Sequence, residues 1–448
     1  MTLTRRQWLR LAAFNAAAAA FAGRFGALNA LATAAADYKA LVCVFLFGGN
    51  DANNLLVPND GTGYADYARL RSSIALPQAS LLPIVTATGR RPFGLHPNLP
   101  GLQALFNQNA AAVVANVGTL VQPTTRAQYL ARTAPVPVNL FSHSDQQAEW
   151  QTGVPQSASA TGWGGRASDA VSDMNGGSFP AVTSVAGTNI YCVGARSRPA
   201  IVNPGQAFAF AGQTGSASAL ALGSAMQNLL TFDSGVSLVQ AANGITAAAY
   251  AESEALADAL ATISALQTPW PSPLTSVASQ LQMVARIIAS RATLGLNRQI
   301  FFVSMGGYDT HTGELASHQQ LYAQLDAALA AFYGTTVELG VQSSVTTFTL
   351  SEFGRTMLPA SGGGSDHAWG SHHLVVGGAV KGGDLYGTFP TIALGGPDDA
   401  SQEGRWIPTT SLDQYAATLA TWFGVPAASL QQVFPNLARF AAPTLGFV

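Results

Sequence analysis

Apolar runs that end in glycine or in a polar patch recur along the chain and predict buried strands. Residues 40–47 form a continuous β-branched and aromatic run that two glycines follow. Such a run suits a strand covered on both faces of a parallel sheet. Similar strands are predicted at 111–118, 299–304 and 345–350.

Helical patterns lie between these strands, at 99–108, 274–294, 317–339 and 411–423. In the second of them, Val277, Leu281, Val284 and Ile288 recur at spacings that place them on one helix face. The alternation predicts an α/β fold with a mostly parallel central sheet and helices on both faces. Residues 154–268, rich in Ser, Gly, Ala and Thr, are predicted to be a loop-rich inserted region within one domain spanning 37–448.

The first residues have the pattern of an export signal. Arg5 and Arg6 precede an apolar stretch at 11–22 and small residues at 32–36, which predicts a twin-arginine signal peptide over 1–36. The alternative is an amphipathic helix that stays on the mature protein. A cleaved signal implies passage through the twin-arginine (Tat) export machinery and a periplasmic or extracellular location.

Composition indicates a globular protein and argues against a nucleic-acid-binding one. The chain has 448 residues, of which 48% are hydrophobic and 10% charged, with a formal net charge of −2. It can bury a large core, and no general electrostatic attraction to nucleic acid or anionic membrane is expected. No later apolar stretch reaches the roughly 18 to 20 residues of a membrane span. Cys43 and Cys192 allow one disulfide, although a buried small hydrophobe is the preferred interpretation for Cys43.

Candidate chemistry lies in short polar patches, several of them directly after predicted strands. Asp51 follows Gly-Gly-Asn after the first strand, Asp309 and His311 follow the strand at 299–304, and Glu352 follows the strand at 345–350. Loops at the carboxyl ends of parallel strands converge on one edge of the sheet, where ligands bind. Carboxylates and imidazoles gathered there predict a site for divalent metal ions, with Zn, Mn, Mg or Ca as candidates.

The candidate ligands have competing interpretations. Asp51 could instead be a turn former or a helix N-cap. Asp309 and His311, two residues apart, would point to the same side of an extended chain, whereas His318 is expected to be a solvated helix residue. The glycine-rich segment 362–373 is expected to be a surface loop that presents Asp366, His367, His372 and His373. Because His372 and His373 are adjacent, at most one of the two should reach the ion.

A second group of residues could act on a substrate. Ser142 and Ser144 flank His143, and a hydroxyl beside a metal ion could be a nucleophile. Alternatively, Ser144 and Asp145 only cap the helix that begins there. Arg355 or Arg166 could hold an anionic oxygen. For Arg355, an ion pair with Glu352 that only braces the loop is the other interpretation.

These residues carry a resemblance to a known family. The chain resembles the domain of unknown function 1501 family of exported proteins, which is similar to the alkaline phosphatase and sulfatase superfamily. The matching motifs are Gly-Gly-Asn-Asp-x-x-Asn at 48–54, Leu-His-Pro at 95–97, Ser-His at 142–143, Gly-Trp-Gly-Gly-Arg at 162–166, Gly-Tyr-Asp-Thr-His at 307–311, Ser-Glu-Phe-Gly-Arg-Thr at 351–356 and Asp-His at 366–367.

The resemblance implies roles for individual residues. Asp51 would be the first-strand ligand, Ser142 the nucleophile, Asp309 and His311 a ligand pair, and His367 or His372 the late histidine. Two departures bear on activity, because Phe353 stands where the superfamily has a histidine ligand and the Asp309/His311 spacing is short.

We therefore expect an exported metal-dependent hydrolase of small anionic esters, phosphate or sulfate. The alternative is a catalytically degenerate envelope protein that retains the scaffold as a binding or assembly module. The expected catalytic residues are Ser142, His143 and Arg355, and the expected metal ligands are Asp51, Asp309, His311, Glu352, Asp366, His367 and His372.

Overall fold

The computed structural model describes residues 37–89, 91–205, 216–232 and 235–448, so the expected signal peptide lies outside the described residues. The strands are β1 (Lys39–Leu46), β2 (Leu56–Pro58), β3 (Leu82–Ile84), β4 (Phe93–Leu95), β5 (Ala111–Gly118), β6 (Val182–Ser184), β7 (Ala200–Ile201), β8 (Arg298–Met305), β9 (Val345–Leu350), β10 (Ser371–Val376), β11 (Leu385–Gly387) and β12 (Thr410–Ser411). The four strands expected from the sequence are confirmed as β1, β5, β8 and β9, within two residues at each end.

Nine of these strands form the central sheet. Its order is β11-β5-β10-β9-β1-β8-β6-β7, and β12 also pairs with β5. Only β10 runs against its neighbours β5 and β9 among the described pairings, so the expected mostly parallel sheet is confirmed. Strands β2, β4 and β3 form a separate antiparallel sheet.

The helices of the described residues are α1 (Ala52–Leu55), α2 (Gly61–Arg71), α3 (Pro100–Asn107), α4 (Arg126–Ala131), α5 (His143–Thr152), α6 (Trp163–Ala170), α7 (Ala217–Leu230), α8 (Ser237–Ala261), α9 (Ser276–Ala289), α10 (Glu314–Glu338), α11 (Leu412–Phe423) and α12 (Leu430–Val433). Four of them, α3, α9, α10 and α11, confirm the helices expected from the sequence. Ser411 caps α11 in a capping box with Gln414.

Helices cover both faces of the central sheet, as expected. Alternate residues of β1 point into two separate cores because successive strand side chains face opposite ways. Val42 and Val44 join the core formed with α3, α9 and α10. Cys43 and Phe45 join the core formed with α6 and α11.

The described part of the region 154–268 is irregular over most of 154–205, and it also contains the long helices α7 and α8, because its many alanines favour helix. One expectation about local structure was wrong. The segment 362–373 is not a surface loop throughout. His372 and His373 lie in β10, are 3% and 1% exposed, and face opposite sides of the sheet because they are neighbours in a strand.

Cys43 and Cys192 are free and buried, as expected for Cys43. None of the described helices is both long enough and apolar enough to cross a membrane.

Candidate metal centre

The candidate site lies where three adjacent strands end. In the sheet, β1 lies between β8 and β9, and Phe45 is level with Ser304 of β8 and Leu350 of β9. The loops that follow therefore meet at one edge. Gly48 has φ +118°, and a Cβ there would lie 2.2 Å from the backbone nitrogen of Asp309, so only glycine allows these loops to approach so closely.

Three side chains converge at this edge with the spacing of metal ligands. His143 Nε2 lies 3.3 Å from Asp309 Oδ2, and His367 Nε2 lies 3.3 Å from Asp309 Oδ1. One ligand atom from each of the three residues lies within 4.8 Å of the others. Ligand atoms about 2.1 Å from a tetrahedral ion are roughly 3.4 Å apart. The three residues can thus hold a divalent ion without large movement.

Each histidine around Asp309 is oriented through its other ring nitrogen. Glu352 Oε1 lies 3.0 Å from His143 Nδ1, the Phe141 carbonyl lies 2.8 Å from His367 Nδ1, and Asp366 Oδ1 lies 3.0 Å from His311 Nδ1. An acceptor at Nδ1 holds the proton there, which leaves Nε2 free to bind a cation. All three Nε2 atoms face Asp309, since His311 Nε2 is also 3.1 Å from Asp309 Oδ1.

The charges of the cluster suit a cation. Partial burial acts to raise the pKa of Asp309, but hydrogen bonding and ion pairing with Arg355 outweigh it and lower that pKa to about 2. Burial lowers the pKa of His367, so this imidazole is neutral at pH 7. An ionised carboxylate and a neutral imidazole are the protonation states that a metal ion requires.

The guanidinium of Arg355 is buried within the site and bonds to its backbone and to Asp309. Arg355 is 1% exposed, and its guanidinium donates to the carbonyls of Gly49 at 3.0 Å, Ser365 at 2.8 Å and Tyr308 at 3.1 Å, as well as to Asp309 Oδ1 at 2.5 Å. Its ion-pair partner is Asp309 and not Glu352. The expected role in holding a substrate anion therefore does not agree with this geometry.

Arg166 was the other expected anion ligand, and the structure places it elsewhere. Its guanidinium donates to the carbonyls of Thr161 and Thr152 and to that of Val433, which links α5 and α6 to α12. These backbone acceptors occupy its donors.

The structure also separates Asp51 from the metal candidates. Asp51 caps α1 by accepting from the Asn53 backbone at 3.2 Å, which is the alternative foreseen from the sequence. Its carboxylate is fully buried against Arg71, which also contacts Glu314 at 2.9 Å. Burial raises the pKa of Asp51, while Arg71 lowers that of Glu314 against the effect of burial. The carboxylate of Asp51 is thus neutralised behind the site.

Two further histidines are used by the fold. His318 is 1% exposed rather than solvated, because it packs edge-on against Tyr308 and Tyr322, and its Nε2 lies 3.1 Å from Thr310 Oγ1. His372 Nδ1 accepts from the backbone of Asn116 at 2.9 Å, and its ring stacks on Phe389. Neither side chain belongs to the cluster around Asp309.

Ser142 precedes α5 and lies next to the cluster in sequence. Its hydroxyl donates to Asp145 Oδ2 at 2.6 Å and is 3.2 Å from Ser144 Oγ. The hydroxyl therefore has local side-chain partners, and among the described residues no side chain makes a capping hydrogen bond to the first turn of α5.

Sequence reasoning missed several residues that shape the site. Gln147 donates to Glu352 Oε1 at 2.9 Å, and the backbone of Phe141, at φ +75°, turns its carbonyl toward His367. Glu314 and Arg71 hold the network behind the site. Gln147 lies one helical turn after His143, and this spacing could have indicated that both side chains reach the same site. No sequence pattern predicts that a backbone carbonyl will orient a histidine.

Comparison with known proteins identifies the family. The sequence profile described as "Protein of unknown function (DUF1501)" matches residues 38–402. The chain belongs to the DUF1501 family. The match confirms the family that the motifs of the sequence had indicated. Among curated proteins, none matches the sequence.

Solved structures similar to this DUF1501 chain include the following three. The lipoteichoic acid synthase LtaP from Listeria monocytogenes is 9% identical, with 87% of this chain and 72% of that chain covered and a TM-score of 0.34. The phosphonate monoester hydrolase of Agrobacterium radiobacter is 10% identical, with 86% and 74% covered and a TM-score of 0.32. The alkaline phosphatase PafA is 11% identical, with 70% and 63% covered and a TM-score of 0.28.

Proposed function

We propose that the chain is an exported, divalent-metal-dependent hydrolase of small anionic esters, phosphate or sulfate. The observation that carries the proposal is the arrangement of three imidazole Nε2 atoms around one ionised carboxylate. Two or three imidazoles favour zinc, because magnesium, calcium and, less strongly, manganese prefer oxygen ligands. Export is supported by the twin arginine at Arg5 and Arg6.

His143, Asp309 and His367 are the proposed ligands, and His311 is close enough to replace one of them. Glu352 and Asp366 act by orienting His143 and His311 and do not bind the ion. We leave Asp51 and His372 out of the ligand set, because their polar atoms are bonded elsewhere. A divalent ion bound here would polarise the ester oxygen and lower the pKa of a water molecule.

The proposed nucleophile is water rather than Ser142, since the hydroxyl of Ser142 already donates to Asp145. Asp309, ionised and held by Arg355, would fix the ion from one side. The half-exposed edges of Asp309, His311 and Asp366 leave the other side of the cluster open to a substrate.

The test compares metal content and hydrolysis in matched variants. The purified wild-type protein should contain about one equivalent of zinc or manganese by elemental analysis and should hydrolyse nitrophenyl phosphate or nitrophenyl sulfate. Asp309→Asn should lose both, since it removes the only carboxylate of the ligand set. Asp66→Asn is the control, because Asp66 is a solvent-exposed carboxylate of α2.

Two outcomes would contradict the proposal in different ways. Metal binding without hydrolysis of any ester in the panel would support the alternative of a degenerate binding or assembly module. Absence of both bound metal and hydrolysis, in a folded protein supplied with each metal, would overturn the metal site itself.

A further inference from the structure

The exposed hydrophobic residues of the protein are concentrated in one helical hairpin. In the described part of the chain, nine of the fifteen large hydrophobic residues that are exposed lie between 220 and 245, in or beside α7 and α8. Leu229, Phe232, Leu238 and Ile245 are 63%, 66%, 79% and 73% exposed. Isolated exposed hydrophobic residues are common, but so many of them in one short segment indicate an interaction surface.

The hairpin projects from the body of the protein. In α7 only Gly223 is buried, and in α8 the buried residues are Leu256, Ala259 and Leu260 in the last two turns, which anchor the helix to the core. A 14-residue helix exposed on nearly every side has little packing to stabilise it, and helices of this length are marginal alone in water. The apolar surface of the hairpin therefore needs a second packed layer to bury it.

The exposed residues form stripes along the helices. Leu222, Met226 and Leu229 recur at intervals of four and three residues and so share one face of α7. Leu238 and Ile245, seven residues apart, share one face of α8. Two apolar stripes on antiparallel helices are half of the core of a four-helix bundle.

Charge argues against an anionic membrane as the occupant of this surface. Between Arg198 and Arg286 the sequence contains no lysine or arginine. The second half of α8 carries Glu252, Glu254 and Asp258. Helices that lie on anionic membranes carry lysine and arginine on their polar face, which this hairpin lacks.

The area of the surface fits a pair of protein chains. The five side chains of the two stripes, each exposing roughly 100 Å², supply more than half of the ~800 Å² that each partner contributes to a standard interface. Two-fold dimers are the commonest soluble oligomers, and a hairpin that meets its own copy buries the same stripes on both sides. We propose that α7 and α8 form a homodimer interface, with a second copy of this chain as the occupant.

The first test measures mass. The purified full chain, 46.2 kDa as a monomer, should sediment at equilibrium with twice that mass at micromolar concentration. A triple variant, Leu222→Gln with Leu229→Gln and Ile245→Gln, should dissociate on the order of 100-fold more readily, since three apolar residues are lost from each side. The control variant, Val85→Gln with Leu130→Gln, changes residues exposed elsewhere and should stay dimeric.

The second test needs no variant. Amide hydrogen exchange over 217–250 in the wild-type protein should slow as its concentration rises through the dimerisation range, while exchange over 61–71 should not change. A wild-type protein that stays monomeric at tens of micromolar, or a triple variant that stays dimeric, would overturn the proposal. If the protein is monomeric and floats with phosphatidylglycerol vesicles, the homodimer proposal is wrong and the hairpin binds membranes instead.

Discussion

At the residue scale, the site depends on which nitrogen of each histidine is free. Glu352, Asp366 and the Phe141 carbonyl each lie beside an Nδ1 atom, so the three Nε2 atoms are the ones available to a cation. Glu352 is fully buried, and its Oε2 has no partner among the described residues. A buried carboxylate with an unpaired oxygen lowers the stability of the fold. A residue with this cost is expected to be retained for its role in a functional site.

Replacement of Glu352 tests this orienting role. Glu352→Gln keeps the shape of the side chain but removes its charge, and it should weaken binding of zinc or manganese by roughly 10- to 100-fold. Titration of the metal-free protein with each ion, followed by calorimetry, measures the change. Glu403→Gln, at an exposed carboxylate, is the control and should leave the affinity unchanged. Unaltered affinity in Glu352→Gln would remove Glu352 from the site.

At the element scale, α5 connects the site to the core. His143 is its first residue, and Gln147, one turn later, reaches Glu352. On the buried side, Glu149 accepts from Gln146 at 2.8 Å while its Oε1 has no partner among the described residues. Burial raises the pKa of Glu149 to about 8, although hydrogen bonds oppose the shift. The helix that presents His143 therefore carries a carboxyl group that is protonated at neutral pH.

This pKa predicts a dependence of stability on pH. The folded state binds the proton of Glu149 more tightly than the unfolded state, so its contribution is present below about pH 4.5 and is lost as pH rises through about 8. Glu149→Gln cannot lose a proton. The melting temperature of the variant should thus fall less than that of the wild type between pH 5 and pH 9. Parallel pH profiles of the two proteins by calorimetry would contradict the prediction.

At the scale of the whole molecule, a buried ionic network holds the site's elements together. Arg71 at the end of α2 contacts Asp51 after β1, Glu314 at the start of α10, and the carbonyl of Thr356 at 2.9 Å. All three side chains of the ion pairs are fully buried. The network joins segments nearly 300 residues apart in the chain, and Glu314 also accepts from Thr310, the neighbour of Asp309.

Removal of Arg71 should therefore destabilise the whole fold. Arg71→Met leaves the carboxyl groups of Asp51 and Glu314 buried without their cation, which should cost about 3 to 5 kcal/mol of unfolding free energy. Urea denaturation measures the loss. Arg69→Met, on the same helix but exposed, should change the unfolding free energy by less than about 0.5 kcal/mol. Similar losses in the two variants would show that the network does not stabilise the fold.

The local elements of the protein could be predicted from the sequence because each depends on its own side chains. Residues 345–350 were expected as a strand and form β9, and the stripe of Val277, Leu281, Val284 and Ile288 faces the core on α9. The histidines of β10 were assigned to a loop, because the glycines before them suggested one and the burial of His372 and His373 depends on their neighbours β5 and β9.

The sequence by itself determined the alternation of strands and helices, the parallel sheet and the polar patches at its carboxyl edge, since these follow from apolar periodicity and from the residue types between the strands. Only the tertiary structure decided which polar groups share a site. Asp51 and Asp309 follow adjacent strands, and each comes two residues after a pair of glycines, so their sequence patterns do not distinguish them. Asp51 is buried against Arg71, whereas Arg355 holds Asp309 among three imidazoles, because partners on other elements decide what each carboxyl group meets.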